Sequence, residues 1–102
     1  MPRPAPTTPT TDNGLTASQL QLYPNPTDGR LTIDLTAFLE QAATLEILDL
    51  NGQLILRREL GLIEQSTERL DLSAYPAGIY FVRLRLDDGT TALRRVVVQP
   101  RP

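Results

Sequence analysis

From about residue 19 onward, short runs of alternating hydrophobic and polar residues are separated by turn residues. Alternation with a period of two is typical of antiparallel strands that have one buried face. The residues between the runs are rich in Gly, Pro, Asn and Asp, which favour tight turns. The pattern predicts an all-β protein, an antiparallel β-sandwich of about seven strands, at residues 19–23, 30–35, 43–50, 53–60, 68–72, 78–86 and 91–99.

Two segments fit the strand pattern poorly, residues 36–42 and 61–67. The first can form one helical turn around Phe38 and Leu39. Neither segment is long enough for a packed helix.

Residues 1–18 have a different texture, with four prolines and five threonines and Leu15 as the only large aliphatic residue after Met1. Such a stretch cannot bury enough apolar surface to fold, and its prolines favour extended conformations. We therefore expect a linker at residues 1–18, a folded domain at residues 19–99 and a short tail at residues 100–102.

The strand over residues 78–86 has one wholly apolar face, formed by Tyr80, Val82, Leu84 and Leu86. This face should enter the core. A buried tyrosine needs a partner for its hydroxyl group, as in the tyrosine corners of sandwich domains.

Two dipeptides predict hairpins. With Asn51-Gly52 as a two-residue type I′ turn, Glu46 lies opposite Arg57, Ile47 opposite Leu56 and Leu48 opposite Ile55.

With Asp88-Gly89 as a second two-residue loop, Leu84 faces Leu93 and Arg83 faces Arg94. Like charges in direct opposition are unfavourable. Either this loop is longer than two residues or the arginines have an acidic partner.

The composition excludes most kinds of catalytic and metal-binding site. The 102 residues are enough for one domain, and they include no cysteine, histidine, tryptophan or lysine, since all ten basic residues are arginine. No disulfide, cofactor or histidine base is expected. The net charge of −2 does not suit a nucleic-acid partner, and no run reaches the ~20 apolar residues of a membrane span.

Acidic residues offer the remaining candidates for chemistry. Asp49 to Gly52 resembles the start of a calcium loop, but Arg58 stands where the later glutamate ligand is needed. The turn residues Asp87 and Asp88 are a weaker candidate of the same kind. Asp34 and Asp71 are the best pair for glycoside hydrolysis, yet both lie at strands occupied with packing. No metal site and no enzymatic activity are predicted.

Six arginines leave two interpretations open. Arg57, Arg58, Arg83, Arg85, Arg94 and Arg95 form either a docking patch on one sheet face or a solvated surface paired with Glu46 and Glu59.

Three segments together resemble the C-terminal sorting domain of the type IX secretion system, type A, also called the Por secretion family. They are LYPNPTDGRLTIDL at residues 22–35, LEILDLNGQLI at residues 45–55, and LDLSAYPAGIYFVRLRLDDGTTALRRVVV at residues 70–98. Their order and spacing both fit. The combined pattern covers about four fifths of the chain and is far more specific than any single piece.

The resemblance implies an immunoglobulin-like sandwich that serves as a non-catalytic signal on an upstream cargo domain of the same parent chain. The parent would reach the periplasm of a Gram-negative bacterium through its own signal peptide. The outer-membrane translocon and its shuttle protein would recognise this domain, and a cell-surface sortase would then remove it. The product would be secreted or held at the cell surface.

Carried over by position, the recognition motif comprises Tyr23, Pro24, Asn25, Pro26, Gly29, Asp49, Gly52, Ala77, Gly78, Ile79, Tyr80, Arg94, Arg95 and Val96. The cleavage region would be Gly14, Leu15, Thr16, Ala17 and Ser18. The alternative function is an adhesive or carbohydrate-binding sandwich, which would need exposed aromatic side chains.

Overall fold

The fold consists of two antiparallel sheets, as seen in a computed structural model that describes residues 20–99. The predicted linker and tail lie outside the described residues. The strands are β1 (Gln21–Tyr23), β2 (Arg30–Asp34), β3 (Ala42–Leu48), β4 (Leu54–Leu62), β5 (Thr67–Asp71), β6 (Gly78–Leu86) and β7 (Thr91–Val98). A 3₁₀ turn at Thr36–Phe38 follows β2, which confirms the predicted helical turn.

The strand order is β1-β2-β5 in one sheet and β4-β3-β6-β7 in the other. The chain crosses between the sheets after β2, after β4 and after β5. Two antiparallel sheets connected in this way form an immunoglobulin-like sandwich, which confirms the predicted fold class. All seven predicted strands are present, with ends that differ from the prediction by at most two residues.

The core lies between the two sheets and is formed by the inward side chains of both. The alternation predicted for β6 is confirmed, since Tyr80, Val82, Leu84 and Leu86 are all buried. The Tyr80 hydroxyl donates a hydrogen bond to the Pro76 carbonyl oxygen at 2.5 Å, which gives the buried phenol its partner. This bond ties the loop before β6 to the strand.

The β3–β4 hairpin has a three-residue loop, so the predicted type I′ turn is wrong. Asp49 N–H donates to the Gln53 carbonyl at 2.9 Å, and Gly52 N–H donates to the Asp49 carbonyl at 3.0 Å. Within this loop only Gly52 has a positive φ, +85°. A type I turn followed by a left-handed glycine meets these conditions.

The longer loop shifts the register only near the turn. Leu48 pairs with Leu54 and not with the predicted Ile55. An irregularity between Ile47 and Leu48 then restores the predicted pairs of Ile47 with Leu56 and of Glu46 with Arg57.

The β6–β7 hairpin repeats the same loop. Leu86 N–H donates to the Thr90 carbonyl at 2.7 Å, and Gly89, at φ +91°, donates to the Leu86 carbonyl at 2.9 Å. The register therefore differs by one residue from the prediction, and Arg83 faces Leu93 instead of Arg94. The longer loop thus removes the unfavourable arginine pair, and Arg83 also has an acidic partner, Glu46.

Candidate recognition surface

The Tyr23–Pro26 turn lies against the backbone of β7, at the edge of the four-stranded sheet. Asn25 Nδ2 donates to the Arg95 carbonyl at 2.9 Å, and Val97 N–H donates to Asn25 Oδ1 at 3.0 Å. One side-chain amide thus replaces the donor and the acceptor that a neighbouring strand would provide. Both X-Pro peptide bonds in this turn are cis.

Thr27 extends the contact along the same edge. Its N–H donates to the Val97 carbonyl at 2.9 Å, and Gln99 N–H donates to the Thr27 carbonyl at 2.8 Å, which forms a parallel bridge. Asn25 and Thr27 together cover the β7 edge from residue 95 to residue 99. An uncovered edge strand is a template for unwanted pairing, so the turn has a protective role.

Thr27 itself was not among the predicted site residues, although it is almost fully buried. Its hydroxyl donates to the Arg30 carbonyl and accepts from Gly29 N–H at 3.0 Å. A threonine directly after Pro-Asn-Pro and before an Asp-Gly turn is the signal that sequence reasoning had available.

Gly29 is required by close packing at one end of the three-stranded sheet, where the start of β2 meets the end of β5. Its φ is +131°, and a Cβ placed there would lie 2.8 Å from the Cα of Ser73. Its carbonyl accepts a hydrogen bond from Leu72 N–H at 2.7 Å. The glycine therefore lets the Tyr23–Gly29 segment pack against the Leu-Asp-Leu-Ser stretch at residues 70–73.

The pairing registers place the predicted recognition residues, with the exception of Arg94, at one end of the sandwich. Leu48 pairs with Phe81, so the hairpin after Leu48 lies at the end where β6 begins. Gly78 pairs with Val98, so β7 ends there as well. We call this the signature end, comprising Tyr23–Pro26, Gly29, Asp49–Gly52, Ala77–Tyr80 and Arg95–Val98.

Only some residues of the signature end are available to a partner. Gly29, Tyr80 and Val96 are buried and shape the fold. Tyr23, Pro24, Asn25, Pro26, Gly52, Ala77 and Arg95 are exposed. The predicted recognition motif thus contains both surface residues and residues that hold the surface in place.

The two adjacent arginines of β7 point to opposite faces of the sheet. Arg94 lies opposite the core residue Val82, whereas Arg95 lies opposite Phe81 on the outer face. Arg58 also leaves the outer face, because its guanidinium contacts Glu68 at 2.5 Å and the Arg69 carbonyl at 3.0 Å on β5.

The prediction that six arginines share one face is therefore wrong for two of them. The four that share the outer face of the four-stranded sheet are Arg57, Arg83, Arg85 and Arg95.

Two glutamates lie among these arginines, as one interpretation of the sequence expected. Glu46 is only 4% exposed and accepts from Arg83 Nε at 2.7 Å and from Arg85 Nη2 at 2.9 Å. Arg57 pairs with Glu59 at 3.1 Å on the solvent side.

Three of the aspartates considered for calcium binding or catalysis accept hydrogen bonds within their own turns. Asp34 accepts from Thr36, Asp71 from Ser73 and Asp88 from Thr90, each from the N–H two residues later at 2.9 Å. The pKa of each of these three turn aspartates is lowered by these hydrogen bonds. For Asp34 and Asp71 the neighbouring hydroxyl contributes most, and for Asp88 the backbone N–H of Thr90 does.

The positions of these aspartates do not support glycoside hydrolysis or calcium binding. Asp71 pairs with Arg30, four residues along β2 from Asp34, so the backbones of the two aspartates are ~13 Å apart by strand rise. Glycoside hydrolysis needs closer carboxylates. Asp49 Oδ1 accepts from Asn51 and Gln53 N–H, both at 2.9 Å. Within residues 20–99, no three acidic side chains gather to hold a metal ion.

The chain matches the family described as "Secretion system C-terminal sorting domain" over residues 21–99. No curated protein matches it. Among solved structures, it is similar to CopC from Methylosinus trichosporium OB3b, at 20% identity and a TM-score of 0.48, over 81% of this chain and 94% of that one. The part of the chain that the structure describes contains no helix capable of crossing a membrane. With most of its length matched, the chain belongs to the family of type IX secretion C-terminal sorting domains.

Proposed function

We propose that residues 19–99 form a non-catalytic signal domain that directs an upstream cargo domain across the outer membrane, with the signature end as its recognition surface. Family membership makes the chain a type IX sorting signal, and so part of a secreted or cell-surface protein that interacts with that secretion system. The observation that carries the proposal is that the predicted recognition residues, with the exception of Arg94, lie at one end of the sandwich.

The partners at this surface are the outer-membrane translocon and the shuttle protein. The parent chain would pass through the periplasm of a Gram-negative bacterium before meeting them. A cell-surface sortase would then cut near residues 14–18, which lie outside the described residues. Residues 1–18 would act as the linker that makes this cut accessible.

Two features support a signal over an enzyme. The turn aspartates are tied to neighbouring backbone N–H groups, which leaves them poorly placed for acid-base work. The exposed residues of the signature end are prolines, two asparagines, small residues, a leucine, a tyrosine and an arginine, which suit recognition better than catalysis.

The adhesive alternative has less support. Tyr23 is 49% exposed, but the other four aromatic residues, Phe38, Tyr75, Tyr80 and Phe81, are buried or half-buried. Stacking on a sugar usually needs a broader aromatic platform. Binding of the isolated chain to a glycan array would revive this alternative.

Deletion of residues 90–102 from a cargo fusion tests the sorting role in a type IX-competent bacterium. Because the deletion removes β7, we expect the cargo to remain in the periplasm. Surface delivery without these residues would refute the sorting role.

A folded variant is needed to test the signature end itself. Ala77→Glu places a charge at the signature end, and Ala37→Glu places the same charge on an exposed site at the opposite end. We expect both variants to keep the melting temperature of the unaltered chain, and only Ala77→Glu to lose surface delivery. Equal delivery of the two would show that recognition lies elsewhere.

A further inference from the structure

The outer face of the four-stranded sheet is divided into two unlike halves. At the end away from the signature end, its cross-strand neighbours are Thr44, Glu59, Arg85 and Thr91. Toward the signature end the face carries the apolar residues Leu48, Ile79, Phe81, Leu93 and Val97, with Arg95 opposite Phe81 and Arg83 opposite Leu93. A sheet face turned to solvent normally carries polar side chains, so the apolar half requires an explanation.

This apolar half contains a depression of about 190 Å³, lined by Leu48, Asp49, Leu50, Gly52, Phe81, Arg83 and Leu93. Leu50 is 64% exposed and Leu93 is 46% exposed. Pockets for small organic ligands usually measure ~300–1,000 Å³. The depression is below this range and matches a single inserted side chain.

Two arginines, Arg83 and Arg95, lie at the depression. Arg83 lies in the wall of the depression. Arg83 and Arg85 both pair with the Glu46 carboxylate, so one negative charge neutralises only one of these two positive charges. Arg95 lies beside Phe81 in the adjacent strand, and its guanidinium has no ion-pair partner within residues 20–99. The outer face carries four arginines against two glutamates, on a chain whose net charge is −2.

An apolar centre with an arginine at its rim is the composition of a protein–protein contact. The Asp49 carboxylate, which also lines the depression, is directed to its own turn. Membrane recognition through anionic lipids usually uses clusters of 4–8 basic residues, more than this rim provides. The charge balance therefore favours a protein partner that brings an acidic group.

We propose that the depression receives an apolar side chain from an acidic segment of the secretion machinery, with a carboxylate of that segment pairing with Arg95. This inference rests on the proposed function and assigns the chemistry of the partner. The apolar contact would provide the anchor, and the arginine would fix the orientation.

Matched pairs of variants in the cargo fusion test the two halves of the contact. Leu93→Ser removes the apolar wall, and Leu62→Ser removes a leucine of similar exposure, 54%, at the other end of the sandwich. Arg95→Glu reverses the charge at the rim of the depression. Arg69→Glu is the control, because it makes the same charge reversal on the opposite sheet. We expect surface delivery to fall about tenfold for Leu93→Ser and Arg95→Glu, as for one lost hot-spot contact, and to stay within twofold for the controls.

Synthetic peptides test the chemistry directly on the full 102-residue chain, by NMR titration. A peptide of alternating Leu and Glu should shift the amides around the depression and bind about tenfold more tightly than its Leu/Lys counterpart. Equal binding of the two peptides would overturn the assignment. So would preferential binding to anionic vesicles, which would identify a lipid surface instead.

The outcomes separate this inference from the function on which it rests. If the deletion of residues 90–102 leaves the cargo in the periplasm but Leu93→Ser and Arg95→Glu are delivered normally, the inference alone is refuted. If the deletion itself is delivered, the sorting role fails.

Discussion

The Asn25 side-chain amide joins the Tyr23–Pro26 turn to the backbone of β7, and we expect this contact to stabilise the fold. Replacement by alanine removes the bond from Nδ2 to the Arg95 carbonyl and the bond from Val97 N–H to Oδ1. Each exposed hydrogen bond contributes ~0.5–1.5 kcal/mol net, so we expect Asn25→Ala to lower the free energy of unfolding by about 1–3 kcal/mol. For a domain of this size, 1 kcal/mol corresponds to ~4–8 °C in melting temperature.

Thermal unfolding and amide hydrogen exchange provide the measurement. The exchange result is the more specific, because Val97 N–H should lose protection while core amides of β6 change only with global stability. Gln65→Ala is the matched control, since it also truncates an exposed amide but at the opposite end of the sandwich. Its melting temperature should equal that of the unaltered chain.

The reasoning would be wrong if Asn25→Ala had the same melting temperature as Gln65→Ala and Val97 N–H stayed protected from hydrogen exchange. In that case the edge of β7 would be held by Thr27 alone. The Pro-Asn-Pro turn would then have no structural role at β7, and all its effect on secretion would have to come from direct contact with a partner.

Three further predictions concern the fold. Gly29→Ala should cost about 2–4 kcal/mol in chemical denaturation, because it combines a left-handed φ with an overlap against Ser73; Gly52→Ala, with open space at its Cβ, should cost only about 1–2 kcal/mol. Tyr80→Phe should cost about 1–2 kcal/mol by losing its bond to the Pro76 carbonyl, and an unchanged midpoint would contradict this role. The pKa of each of the three turn aspartates is lowered on folding, so the stabilisation that they provide is present at pH values above the unfolded pKa of 3.8 and is lost as the pH falls through the folded pKa values. The melting temperature should therefore decrease as the pH is lowered below about 4, and this decrease should be less steep in Asp71→Asn.

The sequence predicts the strands and the buried face of β6 because both depend on local alternation. It also predicts that the Tyr80 hydroxyl has a hydrogen-bond partner, because this depends on the burial of one side chain. The hairpin loops could not. Asn-Gly and Asp-Gly favour both two-residue and three-residue loops, and the choice depends on twist and packing beyond the turn.

One added loop residue had a large effect in β7. The predicted register put Leu93 opposite Leu84, on the core side, and Arg94 opposite Arg83, on the outer side. The observed register exchanges these two roles, because a shift of one residue moves every side chain to the other face. The sequence places Ile79 and Phe81 of β6 on the outer face, but the contribution of Leu93 and Val97 to the apolar outer half was not visible in it.

The contact between Asn25 and β7 was unpredictable for another reason. It joins residues 70 and 72 positions apart in the chain, and no local pattern indicates such a pairing. Sequence similarity marked both partners as important without indicating that they touch.

The most direct test of the central claim is whether this chain is sufficient to direct secretion. A periplasmic reporter with its own export signal, fused to the 102-residue chain, should be expressed in two isogenic strains, with and without the type IX translocon. We expect surface-exposed reporter, measured by protease accessibility on intact cells, only in the strain with the translocon. Equal exposure in both strains, or none in either with the fusion intact, would contradict the account.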